Sequence, residues 1–132
     1  MLNLYREDKK KQERGSPCFL HEASFDVVRA GTPLYTLQIE QIKKELFGFA
    51  PKEIDNGLVV ATWLAEYGVT GWDGVIDADN IDLAFNRVNA RKVFLNPEYF
   101  MSLNALLIDH AFKYHNYLHD EACEDLEQIK KN

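Results

Sequence analysis

Cysteine is scarce in this chain, which carries only Cys18 and Cys123 among 132 residues. Two cysteines are too few for a disulfide framework, and these stand too far apart to make a metal-type pair, so free thiols in a reducing compartment are expected. Long apolar runs are missing as well. No stretch approaches the roughly 20 residues needed to span a bilayer, and residues 1–16 lack the apolar centre of a secretory signal. The protein is therefore expected in the cytoplasm where it is made. Positive charge is in deficit: 15 Lys and Arg against 21 Asp and Glu leave a formal net charge of −6. That argues against a general binder of nucleic acid or anionic membrane. The sequence also has no G-x-S-x-G nucleophile elbow, no G-x-x-x-x-G-K-[ST] phosphate loop and no dinucleotide fingerprint. An enzymatic reading starts without a motif, and no catalytic residue or cofactor is expected.

What is present is enough apolar material for a core: 46% of residues are hydrophobic, with 8 Phe, 6 Tyr and 2 Trp. One ordinary domain fits this length. Residues 1–16 hold five bases (Arg6, Lys9, Lys10, Lys11, Arg14) and three acids, while the remainder has ten bases against eighteen acids. The pattern reads as a flexible charged arm, 1–16, on a single acidic domain, 17–132.

Along that domain, Phe25 and Val27, then Leu34 and Leu37, flank Ala30-Gly31-Thr32-Pro33, which predicts a β-hairpin turning at the glycine and proline. Ile39, Ile42, Leu46 and Phe47 follow at helical spacing and are closed by Gly48. A second helix is predicted from Pro51 through Ile54, Leu58, Ala61 and Ala65, with Gly68 as a left-handed stop. Trp63 belongs to its core. Gly71 to Asn80 reads as an irregular connection pinned by Trp72. Asn86 caps a short helix carrying Val88, Val93 and Phe94, and Asn96-Pro97-Glu98 is the strongest helix start in the chain. Beyond it Phe100, Leu103, Leu107, Ala111, Tyr114 and Leu118 step by three and four, and Ala122, Leu126 and Ile129 continue the stripe. A helix of that length would outrun a compact domain, so it breaks near 116–120 or projects towards a partner. The expected fold is mainly α within the α+β class, an N-terminal hairpin followed by a small bundle of four to five helices, with Trp63 and Trp72 as structural anchors.

Few groupings carry chemistry. His115 and His119 share a face of an unbroken helix and with Asp120 or Glu121 would make a metal site, but the Glu of H-E-x-x-H is missing, so surface or capping roles are expected and no metal. His110, at the stripe's edge, is expected as a hydrogen-bonded core histidine. Asp73, Asp77, Asp79 and Asp82 lack the Gly and Glu of a calcium loop and read as turn formers. Cys18 and His21 lie close in sequence without an orienting third group, which leaves Cys18 as a solvent-accessible thiol.

Taken in order, Phe25-Asp26-Val27, Gly71-Trp72-Asp73-Gly74-Val75, Phe85-Asn86-Arg87-Val88-Asn89 and the terminal Ile129-Lys130-Lys131-Asn132 resemble the small tail assembly chaperones of long-tailed bacteriophages. The resemblance runs over roughly 24–132; it departs at Arg87-Val88-Asn89, where the family has an acid before Asn. It implies a non-enzymatic protein in the host cytoplasm that binds the tape-measure protein, recruits tail-tube subunits and leaves before the virion is finished. It also implies a frameshifted longer product, for which Lys130-Lys131 would supply A-rich codons. An acidic helical module with an apolar stripe suits a long apolar helical client. Phe100, Leu103, Leu107, Tyr114, Leu118 and Leu126 are the candidate partner-binding residues, with self-association through the same face. The competing readings are a structural neck or minor tail protein retained in the virion, and a metal-dependent hydrolase built on His115 and His119.

Overall fold

A computed structural model describes residues 9–48 and 53–118. Five α-helices and a three-stranded antiparallel sheet make an α+β fold. The chain enters through α1 (Lys9–Arg14) and forms a hairpin of β1 (Ser16–Leu20) and β2 (Ala23–Val27), with Cys18 opposite Phe25 and Leu20 opposite Ala23. The turn is His21-Glu22, where His21 takes φ 55°, a left-handed conformation for which histidine has more tolerance than most residues. α2 (Pro33–Phe47), α3 (Asn56–Trp63), β3 (Val69–Asp73), α4 (Arg87–Phe94) and α5 (Leu103–Phe112) follow.

The hairpin exists, but one arm earlier than the sequence pattern placed it. Thr32 and Pro33 do not turn between strands. The Thr32 hydroxyl accepts from Tyr35 N at 3.1 Å and Pro33 occupies the first helical turn, so the pair is a cap with its proline and starts α2. Leu34 and Leu37 therefore lie on a helix. Gly48 closes α2 as expected, its N–H bonding Lys44 O at 2.9 Å.

Pro51 lies outside the described residues, and α3 begins at a different cap: Asp55 Oδ1 accepts from Gly57 N and Leu58 N. The helix widens into a π turn, Leu64–Gly68. Gly68 is not left-handed there; its φ is not positive. A Cβ at this position would lie 2.5 Å from the Trp63 ring, so glycine is required by the fully buried indole.

The stretch expected to be an irregular connection opens with β3. Trp72 is a strand residue, opposite Phe25 of the central strand β2, and an irregularity at Asp26/Val27 shifts the register beyond it. Its indole still anchors the following loop by donating to Leu83 O at 2.7 Å. Asn86 caps α4 through Asn89 N as predicted. The Asn96-Pro97-Glu98 signal produces only one 3-10 turn, Pro97–Tyr99, before Ser102 leaves helical geometry and α5 starts afresh. The apolar stripe is cut again at Lys113, where the backbone becomes extended, and Tyr114–Tyr117 form a second 3-10 turn. The break thus precedes 116–120; residues 119–132, with His119, Cys123 and Leu126, lie outside the described chain.

One face of the hairpin looks inward. Cys18, Phe25 and Val27 alternate into the core, where they join Val59, Trp63, Leu64, Val69, Ala90, Phe94, Leu107 and Ala111. Tyr117 and Leu118 are fully buried too. Rings meet edge to face around Trp72, with Phe25, Phe85 and Phe94 at 5.0–6.2 Å between centroids, a favoured arrangement for their quadrupoles. β1 and β3 are the two edges of the sheet, and Pro17 is the second residue of β1.

The boundary expected at residue 16 falls within this structure. Lys9–Arg14 are helical, Arg14 O accepts from the Thr70 hydroxyl, and Gln12 O accepts from Arg29 N. Ser16 is already a strand residue, paired with Val27.

Candidate functional site

Two places bring polar side chains together, and a third feature is apolar. The first is a part-buried string built by residues far apart in sequence. Ser16 starts β1, His110 lies in the last turn of α5, and Asn116 belongs to the 3-10 turn after it. His110 Nε2 is 3.2 Å from Ser16 Oγ, and Asn116 Nδ2 is 3.1 Å from His110 Nδ1. Ser–His–Asn spacing of this kind invites comparison with a hydrolytic relay, in which the serine must donate its proton to imidazole.

The proton directions here run the other way. Asn116 Nδ2 also donates to the His110 carbonyl oxygen at 2.9 Å, which fixes the amide with its nitrogen towards the ring. Nδ1 must then accept, so in the neutral imidazole Nε2 carries the hydrogen and donates to Ser16 Oγ. A base already holding its proton on the serine side cannot take another from that hydroxyl. Ser16 is itself buried. Burial pushes the His110 pKa below its ordinary 6.5, with Lys113 adding to the effect while a hydrogen bond to the Ser16 backbone and Asp109 oppose it. The imidazole is thus hydrogen-bonded, as its position on the stripe predicted, but it sits part-buried at the edge of the core and not inside it.

The second place is an open cleft of about 380 Å³ between α1, the start of α2, the π turn and the start of α4, with Leu34, Gln38, Glu66, Tyr67 and Arg87 in its walls. Its polar groups are largely committed to the fold. Arg87 Nη1 donates to Ala65 O and Val69 O, the Gln38 amide oxygen accepts from Trp63 Nε1, and Glu66 pairs with Arg91 through both carboxylate oxygens. The hydrogen bond from Arg91 is the main reason that the Glu66 carboxyl titrates below its ordinary range.

The third feature is apolar surface left outside. Leu34 and Leu37 are 62% and 65% exposed, one turn apart on α2, and Leu34 borders the cleft near Tyr67. Met101 is 92% exposed and Leu106, on α5, is 54% exposed.

The predicted partner-binding stripe points the other way. Leu107 and Leu118 are both 0% exposed, Leu103 packs partly buried against the core, and half-buried Phe100 covers Gly57 at the start of α3. Leu118 is no projecting end: its carbonyl oxygen also accepts from Lys11 Nζ at 3.0 Å. The backbone of Tyr114 is in the 3-10 turn, its side chain is outside what is described, and Leu126 lies outside altogether. Trp63 and Trp72 are the structural anchors expected of them, the first fully buried and bonded to Gln38, the second among three phenylalanines.

Cys18 is buried, not accessible, and desolvation raises its thiol pKa, the opposite of an activated nucleophile. His21 sits in the hairpin turn. In the acidic loop, Asp77 Oδ1 accepts from Asp79 N and Ile81 N, the turn-forming role expected of it. Among the described residues no group of three His, Cys, Asp or Glu is placed to hold a metal ion.

Sequence reasoning missed the exposed Leu34 and Leu37 because they were assigned to a strand. The signal that finds them is Thr32-Pro33 read as a cap followed by proline, after which both leucines fall outside the Tyr35, Ile39 and Ile42 stripe. Compared with protein-family models, curated proteins and solved structures, the chain matches none.

Proposed function

We propose that this protein is a non-enzymatic protein-binding module, a tail assembly chaperone of a long-tailed bacteriophage that holds the tape-measure protein and promotes tail-tube assembly in the host cytoplasm. The observation that carries the binding role is the pair Leu34 and Leu37, left uncovered on α2 beside a cleft. Apolar side chains grouped on an outer face are the usual mark of a surface that meets another protein, and a helical client can lay its own apolar stripe against them. The specific client rests on the sequence resemblance. In this reading α2 to α5 form a small bundle around α3, the sheet braces it, and the partner surface lies on the outside of α2 instead of on the 100–118 stripe.

The test is capture of the tagged chain from cells producing the phage, followed by mass spectrometry of the captured complex and of purified particles. A very long helical protein in the complex, with this chain missing from particles, is the expected result. The double variant Leu34→Glu, Leu37→Glu should lose that protein while unfolding within a few degrees of the parent, since exposed substitutions cost about 0.5 kcal/mol or less. Fixed stoichiometry in particles would instead make the chain a neck or minor tail component. Undiminished capture by the double variant would move the surface away from α2.

A further inference from the structure

The turn at 114–118 is fastened to α5 through Asn116 and to the hairpin through Tyr117, and one of these bonds depends on an imidazole being neutral. Asn116 Nδ2 is shared between His110 O and His110 Nδ1, and the Tyr117 hydroxyl donates to Val27 O at 2.7 Å. A second proton turns Nδ1 from acceptor into donor. Two N–H groups then oppose each other, and the amide cannot rotate its oxygen inward without setting it against the His110 carbonyl oxygen. We infer that His110 is a proton-operated latch: neutral, it holds 114–118 against the β1–β2 hairpin, and protonated, it lets that turn go.

The surroundings favour the closed state at neutral pH. From β1, the Ser16 hydroxyl bonds Nε2, and the buried Cys18 thiol stays neutral because desolvation raises its pKa; the Tyr117 ring lies 6.2 Å from the imidazole. Arg29, from the loop after β2, acts on the Tyr117 hydroxyl. On α5 itself, Asp109 and Lys113 pair at 2.9 Å, so their opposite effects on the ring largely offset each other. Lys11 of α1 holds Leu118 O at 3.0 Å. Burial therefore decides the balance and keeps the ring neutral. Release uncovers Tyr117 and Leu118, both fully buried in the closed form, and opens apolar surface at the hairpin that no other state displays.

The test is NMR on the full chain between about pH 7.5 and 5, following the His110 ring signal together with amide-exchange protection factors. Asn116 N–H and Leu118 N–H report on the turn through their bonds to Lys113 O and His115 O, and Ala90 N–H of α4 is the reference. Protection at 116 and 118 should fall as the pH drops, with the same midpoint as the His110 titration. Ala90 should hold steady. In His110→Asn the side-chain oxygen can replace Nδ1 as acceptor without titrating, and protection should stay flat. Asn116→Asp offers a carboxylate to the imidazolium, so its turn should be better protected at the acid end. An unchanged turn while the ring titrates, or the same fall in His110→Asn, would overturn the latch. Should His110→Asn not fold, the two midpoints in the unaltered protein decide: coincidence supports the latch and separation overturns it.

Discussion

At the scale of single residues, two buried positions carry more than their size indicates. Gly68 lies against the Trp63 ring so closely that a methyl group would sit 2.5 Å from it. Gly68→Ala is expected to cost about 1–3 kcal/mol, the usual penalty for overfilling a packed core, read as a lower urea midpoint. Asn104 is fully buried and donates through Nδ2 to Phe94 O at 2.8 Å, satisfying a carbonyl at the end of α4, while its own Oδ1 finds no partner. Asn104→Ala leaves that carbonyl unbonded in the core, and a loss of about 1–3 kcal/mol is expected in the same experiment. Neither role was legible beforehand, because each depends on what a distant element places beside the residue. Trp63 was legible, since an indole on a helical apolar stripe has few other places to go.

At the scale of elements, the sequence was informative where a local signal had one meaning. Asn86 before α4 and Gly48 after α2 are such signals. Thr32-Pro33 had two, because threonine and proline suit a turn as well as a helix start, and Tyr35, Ile39 and Ile42 packing inward decided for the helix. Pro17 concealed β1 and Gly71 concealed β3, since either residue weakens the local case for a strand; both strands are held by pairing with β2, which no local pattern reveals. The candidate surface suffered from the same ambiguity. A stripe at 100, 103, 107 and 118 is equally good as core or as contact, and its burial is tertiary. Leu118→Asp should therefore lower the melting temperature measurably, because it places a carboxylate in an apolar interior, but by less than Leu107→Asp, since 114–118 can part from the rest of the fold and Leu107 cannot. A projecting helix end would have tolerated the first.

For the whole molecule, the buried titratable groups set a pH range. His110 is depressed in the fold, so the stability it contributes is complete above about its ordinary value of 6.5 and is lost as pH falls through its folded value. The exposed Glu66–Arg91 pair acts in the same sense at lower pH, and only weakly because solvent screens it. In the other direction, burial raises the Cys18 thiol and the Tyr117 and Tyr35 hydroxyls. Their neutral forms are the ones the core accepts, so stability falls as pH rises past their ordinary values of 9.0 and 10.0. A melting temperature level between roughly pH 7 and 9, declining on both sides, is the expected profile. His110→Asn should flatten the shoulder below pH 6.5 and leave the alkaline side unchanged.

Pro17 has a consequence for colloidal behaviour. A proline at the second position of β1 has no hydrogen to offer β2, so it is accommodated with its nitrogen turned away from that strand. The outward row of donors on the β1 edge is therefore interrupted near its start. Copies of this chain crowded together cannot zip edge to edge into a growing ribbon along β1, even though Phe19 beside it stands three-quarters exposed. Sticky on its helical side and blunted along β1, the molecule can touch apolar neighbours while leaving one strand edge fewer open to fibre growth.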